Sequence, residues 1–276
     1  MQTIITYFET IPPLHRSLIL VGGLSLFWLL ENNFPLQQFR YKKWKHALPN
    51  LFFTATTVVI NFLLAFLLLH TADWVVNEKF GLLNLIEGIP FWLHVILGLL
   101  LLDLVGAFLP HWLEHQVKPL WMIHLVHHSD HKVDTTTANR HHPLESFVRF
   151  VFTLSGVFVI GSSIGIVMLY QSLSLTATQF NHANLKLPKK VDLFLSYFIV
   201  SPDMHKVHHH YVLPYTDSNY GNIFSFWDRL FGTYKRLDRE KVVYGVDVFY
   251  DEKTNSKISS LLIQPFQKYK KPTAEK

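Results

Sequence analysis

The sequence predicts an all-helical, polytopic membrane protein with about four to five membrane helices and a helical polar cap. Three observations lead there. Hydrophobic residues make up 49% of the 276 and charged residues only 16%, and the mean hydropathy is positive, a balance high for a soluble enzyme. Apolar stretches cover residues 17–30, 51–69, 90–109 and 147 to about 175, where a bilayer crossing needs roughly 20 mostly apolar residues. No repeat, low-complexity tract or Gly/Ser linker divides the chain, so residues 1–250 read as one membrane-embedded domain and residues 251–276, rich in Lys and Ser, as a loosely held polar tail.

The N-terminal segment carries Glu9 and Pro12 ahead of the first apolar stretch and lacks the basic region and small-residue cleavage site of a secretory signal, so it reads as retained. The loop after the first stretch contains Arg40, Lys42, Lys43 and Lys45. The loop after the second sets Asp73, Glu78 and Glu87 against Lys79. By the positive-inside rule the first loop is cytoplasmic, and the third span brings the chain back to the cytoplasm at His111. The basic residues thus read as a solvated positive-inside face rather than a nucleic-acid stripe.

The fourth stretch is too long for one ordinary span, and Gly161, Ser162, Ser163 and Gly165 interrupt it. Such residues at mid-length permit a tight reversal between two helices. A hairpin over about 147–180 is therefore expected to return the chain to the side that holds the remaining histidines.

Histidine is the outlier of the composition: 13 of the 17 lie between His111 and His210. His111 and His115 stand four apart, on one helical face about one 5.4 Å turn from each other. His124, His127 and His128 form one HxxHH string, and His205, His208 and His209 form another. At this histidine frequency roughly 0.06 occurrences of that string are expected by chance, against two observed. Spacings of three and four put each trio on one side of a helix, where it can serve one metal or bridge two coordination shells. Eight imidazoles exceed the shell of a single ion, so two ions are implied. With no cysteine in the chain, disulfides, thiolate zinc sites and iron–sulfur clusters are excluded. Imidazole suits Fe, Cu, Ni and Zn alike. His15, His46, His70 and His94 read as ordinary polar residues at helix ends.

The order HxxxH, HxxHH, a lone histidine, then HxxHH within apolar spans resembles the fatty acid hydroxylase and sterol desaturase superfamily of membrane di-iron enzymes. So do LWMIHLVHHSD (120–130), RHHPLE (140–145), FNHANLKLP (180–188), SPDMHKVHHH (201–210) and DSNYGNIFSFWDRLFGT (217–233). The similar core covers about residues 100–235. The resemblance implies that His111, His115, His124, His127, His128, His205, His208 and His209 are metal ligands, with His182 a ninth. It also implies two iron ions, O2 as co-substrate, and hydroxylation or desaturation of a C–H bond in a sterol, fatty acyl or related membrane lipid. Trp112 departs from the pattern, which often has Arg there; that bears on substrate or donor contacts more than on the metal.

Groups that fix the tautomer and aim of metal-bound imidazoles are expected nearby. Candidates are Asp130, His131, His142, Glu145, Asn181, Asn184, Asp203 and His210, with Asp103 the strongest because a carboxylate inside a span is costly unless paired, here with a ligand's N–H. The segment of Asn219, Tyr220, Gly221 and Asn222 through Trp227, Asp228 and Arg229 reads as a turn and helix closing the cap. There is no GxGxxG, P-loop or HPGG string, so electrons are expected from a separate donor of the ferredoxin, cytochrome b5 or reductase type, docking near Lys186, Lys189 and Lys190. Two rival readings stand beside this one. A membrane zinc metalloprotease would use HxxEH with Glu114 as general base, and a metal-binding or transport protein would gather ions at its span ends.

Overall fold

The computed structural model describes residues 1–249 and 251–268, and among them every regular element is a helix. A short α1 (Gln2–Glu9) and α2 (Pro13–Asn33) open the chain. Next come α3 (Lys43–Asn77) and α4 (Phe91–Asp103), the latter running through a π turn at Leu104–Phe108 into α5 (Leu109–Gln116). The turn has a cause in the sequence. Pro110 offers no N–H to the carbonyl one turn behind it, and the Leu109 N–H instead bonds the Leu104 carbonyl, five residues back. Then follow α6 (Lys118–His128), α7 (Pro143–Ile160), α8 (Ile164–His182), α9 (Lys189–Leu195), α10 (Pro202–His208), α11 (Phe226–Leu230) and α12 (Ile258–Ile263).

Four helical stretches are long and apolar enough to cross a membrane: Pro13–Asn33, Lys43–Leu85, Phe91–Gln116 and Pro143–Ile160. Each takes in one of the apolar stretches read from the sequence, short of Pro90 in the third and only the first half in the case of the hairpin. The 19 residues of α8 add a fifth helix of crossing length, about 28 Å at 1.5 Å per residue. At 35 residues, α3 runs about 52 Å and overshoots the roughly 30 Å apolar core of a bilayer. Its first turns accordingly stand in the cap, where His46 meets Asp130 at 2.8 Å.

The expected reversal occurs at Gly161. It caps α7 in the left-handed region at φ 80°, its N–H bonds the Val157 carbonyl at 2.9 Å, and α8 starts three residues later. The loop after α3 locks onto this turn: a Cβ on Gly81 would sit 2.4 Å from the Gly161 nitrogen, and Asn84 Nδ2 donates to the carbonyls of Phe80 and Gly161 at 2.7 and 3.0 Å. At the opposite end, Glu31 on α2 accepts the backbone N–H groups of Thr135 and Asn184 at 3.0 and 2.8 Å and pairs with Lys43 at 2.7 Å. Between these ends the helices bury Leu68, Leu102, Phe150, Val157, Ile166 and Val167 in one core.

The expected tail is anchored at a few points: Leu261 of α12 is fully buried against Phe53 and Val126, and the Asn255 carbonyl accepts from Arg140 Nη2 at 2.7 Å. An apolar residue every few positions was enough to anchor a segment whose Lys and Ser content reads as loose. Residues 269–276 of the expected tail lie outside the described residues.

Two outcomes follow from this architecture. Gly161→Ala meets both backbone strain, about 1–2 kcal/mol for an L-residue in the left-handed region, and a collision with the Phe80 carbonyl at 2.3 Å. Gly88→Ala shares the positive φ but opens on empty space, so thermal unfolding in detergent should drop clearly further for Gly161→Ala; equal midpoints would contradict the locked turn. Topology reporters fused after residues 88 and 185 should fall on opposite sides of the membrane, and the same side for both would break the path in which α8 returns the chain across the bilayer.

Candidate metal centre

Helices α5, α6, α8 and α10 aim nine histidines into the cap, all of them buried. Their nearest ring nitrogens fall into two groups, each with its atoms within 4.8 Å of one another. One group is His111, His115, His124, His128 and His208; the other is His127, His182, His205 and His209. Helical geometry explains why neither HxxHH string stays whole. Residues i and i+4 stand about 40° apart around the helix, while i+3 is turned about 60° the other way. On α6 the outer pair, His124 and His128, joins the group of five and His127 crosses over. On α10 the sense is reversed, with His205 and His209 in the group of four and His208 crossing over.

The fit to metal ions rests on the nitrogens. His182 Nδ1 faces the Thr178 carbonyl at 2.8 Å, as a donor must, which leaves Nε2 a single lone pair. Yet that Nε2 meets Nε2 of His127, His205 and His209 at 3.0, 3.0 and 3.1 Å. One lone pair satisfies at most one N–H donor well, whereas a cation among the four satisfies all of them. His111 and His208 make a matching Nε2 contact of 3.0 Å in the other group, where the buried Nε2 atoms of His115, His124 and His128 have no hydrogen-bond partner. Two imidazoles at about 2.1 Å from one ion stand about 3.0 Å apart at a right angle and about 3.4 Å apart in a tetrahedron. The observed contacts match the right angle. Burial and neighbouring imidazoles hold His127, His128, His205 and His209 well below the usual histidine range, in the neutral form that ligates.

The expected orienting groups divide. Glu145 is in place: its Oε1 meets His124 Nδ1 at 2.7 Å and His141 Nδ1 at 2.6 Å, and Arg149 Nε donates to it at 3.1 Å. Asp103 is buried but pairs with no ligand. It instead accepts the backbone N–H groups of Ile223 and Phe224 and the Trp227 indole N–H at 3.2–3.3 Å. Asp130 binds His46, Asn50 and Thr137. Asn184 bonds the backbone of Gln37, Asn181 donates to the Asn222 carbonyl, and Asp203 pairs with Arg239. His142 caps α7 through the Leu144 N–H, and His210 accepts from the Val243 N–H. His131 lines a cleft of about 280 Å³ with Lys42, Lys45 and Lys132. These residues lie near the histidines in sequence, but their side chains turn toward the walls of the cap.

The groups that do orient the candidate ligands are mostly ones the sequence hides. His111 Nδ1 meets the Tyr220 carbonyl at 2.8 Å and His208 Nδ1 the Ser218 carbonyl at 2.6 Å. Asp217 stands 3.1 Å from His115 Nδ1. The loop carrying all three is clamped by Asp228, which accepts the N–H groups of Tyr220 and Gly221 at 2.7 and 2.9 Å. The turn-and-helix reading of 219–229 therefore holds, and the turn with the two residues before it also orients three of the clustered histidines. Backbone carbonyls carry no residue-type signal. Glu114, the base an HxxEH protease needs, has Oε2 held by Arg149 Nη2 at 2.6 Å.

Known proteins resemble this chain over the segment that bears these histidines. The sequence model of a family described as Fatty acid hydroxylase matches residues 95–233. The chain is 24% identical over 180 residues to ornithine lipid hydroxylase OlsE of Rhizobium tropici, a match covering 65% of this chain and 52% of that protein. It is 30% identical over 175 residues to alkylglycerol monooxygenase of Homo sapiens, covering 61% and 36%. With methylsterol monooxygenase 2-2 of Arabidopsis thaliana it shares 26% over 239 residues, covering 83% and 86%. The chain thus spans about half or less of the length of the first two relatives. No solved structure matches it. The residues matched by the family make up half of the chain and hold every histidine of the two groups, so the chain belongs to the fatty acid hydroxylase family, in the fatty acid hydroxylase and sterol desaturase superfamily.

Proposed function

We propose that this chain is an O2-dependent di-iron oxidoreductase that hydroxylates or desaturates a C–H bond of a membrane lipid, with its metal centre on the cytoplasmic face. The observation that carries the reading is the division of nine buried imidazoles into a group of five and a group of four, each rich enough for one octahedral ion with sites to spare. His111, His115, His124, His128 and His208 would hold one iron, and His127, His182, His205 and His209 the other. Iron bound there supplies the redox chemistry that activates O2 toward an unreactive C–H bond.

The protein's own part is to hold, orient and keep dry. The carbonyls of Thr178, Ser218 and Tyr220 and the carboxylate of Glu145 fix Nδ1 as the outward donor on four histidines, which turns Nε2 inward. The rings of Trp121 and Tyr220 cover His115 at 4.8 and 5.1 Å, and both residues are buried, so the group of five is walled off from water on that side. A lipid C–H bond suits a centre set at the end of the spans. The named relatives, which hydroxylate ornithine lipids or oxygenate alkylglycerols and methylsterols, support lipid as the substrate class. The two electrons would come from a separate ferredoxin, cytochrome b5 or reductase type of protein.

The partition predicts separable losses. His205→Ala with His209→Ala should lower the metal content by about one of two ions while the other is retained, and His111→Ala with His208→Ala should do the same from the other side. Full metal in either variant, measured by mass spectrometry, would refute its group as a site. For the reaction, the host's lipid profile with and without this gene should differ by one oxygenated or unsaturated species that disappears under anaerobic growth. An unchanged profile in an iron-loaded, expressing strain would count against the lipid oxidation reading.

A further inference from the structure

Outside the four apolar spans, Val191, Phe194, Tyr197, Phe198, Leu230 and Phe231 are each between 46% and 68% exposed. They form one surface. Phe194 and Phe198 pack at 5.5 Å, the Ser225 N–H bonds the Phe198 carbonyl at 3.3 Å, and Arg229 stacks between the rings of Tyr197 and Tyr234 at 5.1 and 4.0 Å. In water an aromatic patch of this kind would be a liability.

Its attachment says what covers it. Phe231 stacks on Phe108 at 5.2 Å, and Trp227 bonds Asp103 at 3.2 Å. Both partners lie inside the span Phe91–Gln116, and Asp103 stands about 12 Å along the helix before His111. Residues 224–231 therefore run beside that span on the membrane side of the metal centre. Lys190, next to Val191 on α9, and Lys186, just ahead of that helix, are exposed as well. Aromatic rings beside cations are the composition of a surface seated at headgroup level.

We propose that α9 with residues 196–198 and the 224–231 segment form an interfacial anchor, a second lipid-contacting surface by which the cap lies on the bilayer beyond the four spans. The lysines expected to receive a redox protein then face lipid headgroups instead. A bilayer is favoured over an acidic protein because the patch is mainly aromatic and continuous with a span.

The chain has no cysteine, so single substitutions give unique probes. Phe194→Cys, Phe198→Cys and Phe231→Cys would be placed in phosphatidylglycerol-containing nanodiscs, with Arg236→Cys as the water-facing reference. Phe62→Cys, at a residue of α3 that is 78% exposed, serves as the lipid-facing one. A membrane-impermeant maleimide should label the three patch positions at least about tenfold more slowly than position 236. A fluorophore attached in detergent before reconstitution should be quenched there by nitroxide-bearing lipids, as it is at position 62. Labelling as fast as at 236 would overturn the proposal. So would protection without lipid quenching, the signature of a protein-covered face. Any variant that is not monodisperse is replaced by Tyr197→Cys or Leu230→Cys, which must give the same pattern.

Discussion

The lone pairs of nine buried imidazoles set the terms for the rest of the molecule. A buried polar atom without a partner costs about 1–3 kcal/mol, and here several sit within 4.8 Å of one another. His182 Nε2 shows the constraint most sharply, since three nitrogens approach it closer than one lone pair can serve. Such a cluster is stable when cations fill it, so metal loading and the fold of the cap are one free-energy problem.

The surroundings follow from that requirement. Five of the nine imidazoles have Nδ1 held from outside: His182 by the Thr178 carbonyl one turn back on its own helix, His124 by Glu145 at the start of α7, and His111, His115 and His208 by the 217–220 loop. That loop is clamped by Asp228 on α11, and the residues that follow it, Ile223 and Phe224, are held by Asp103. Asp103 thus acts on the centre indirectly, by tying the ligand-aiming loop to a membrane span. Glu114 and Glu145 are both buried and share Arg149; removing one member of such a network leaves an uncompensated charge, which costs far more than the network contributes.

Membrane and cap are also mechanically joined. The far ends of the spans meet where Gly81 fits against Gly161, and the near ends meet at Glu31. Between them, α8 carries His182 back from the turn at Gly161 to the group of four. Without the left-handed glycine the fourth apolar stretch would run on as one helix and carry His182 and α10 away from the other histidines.

Much of this was written in the residues themselves. Hydropathy marked the four apolar stretches, Gly161 and its neighbours marked the reversal, and the spacing of three and four between histidines marked the candidate ligands and a need for two ions. These signals are local: span length, turn chemistry and helical periodicity act over fewer than about 20 residues. Which histidine groups with which was decided only in three dimensions, because the partition depends on how α5, α6, α8 and α10 are rotated against each other. The same is true of the groups that aim the ligands. Asp130, Asn184 and Asp203 are close in sequence and turn away, while the carbonyls of Thr178, Ser218 and Tyr220 turn in, because a backbone oxygen's partner is chosen by the path of the chain and not by the residue that bears it.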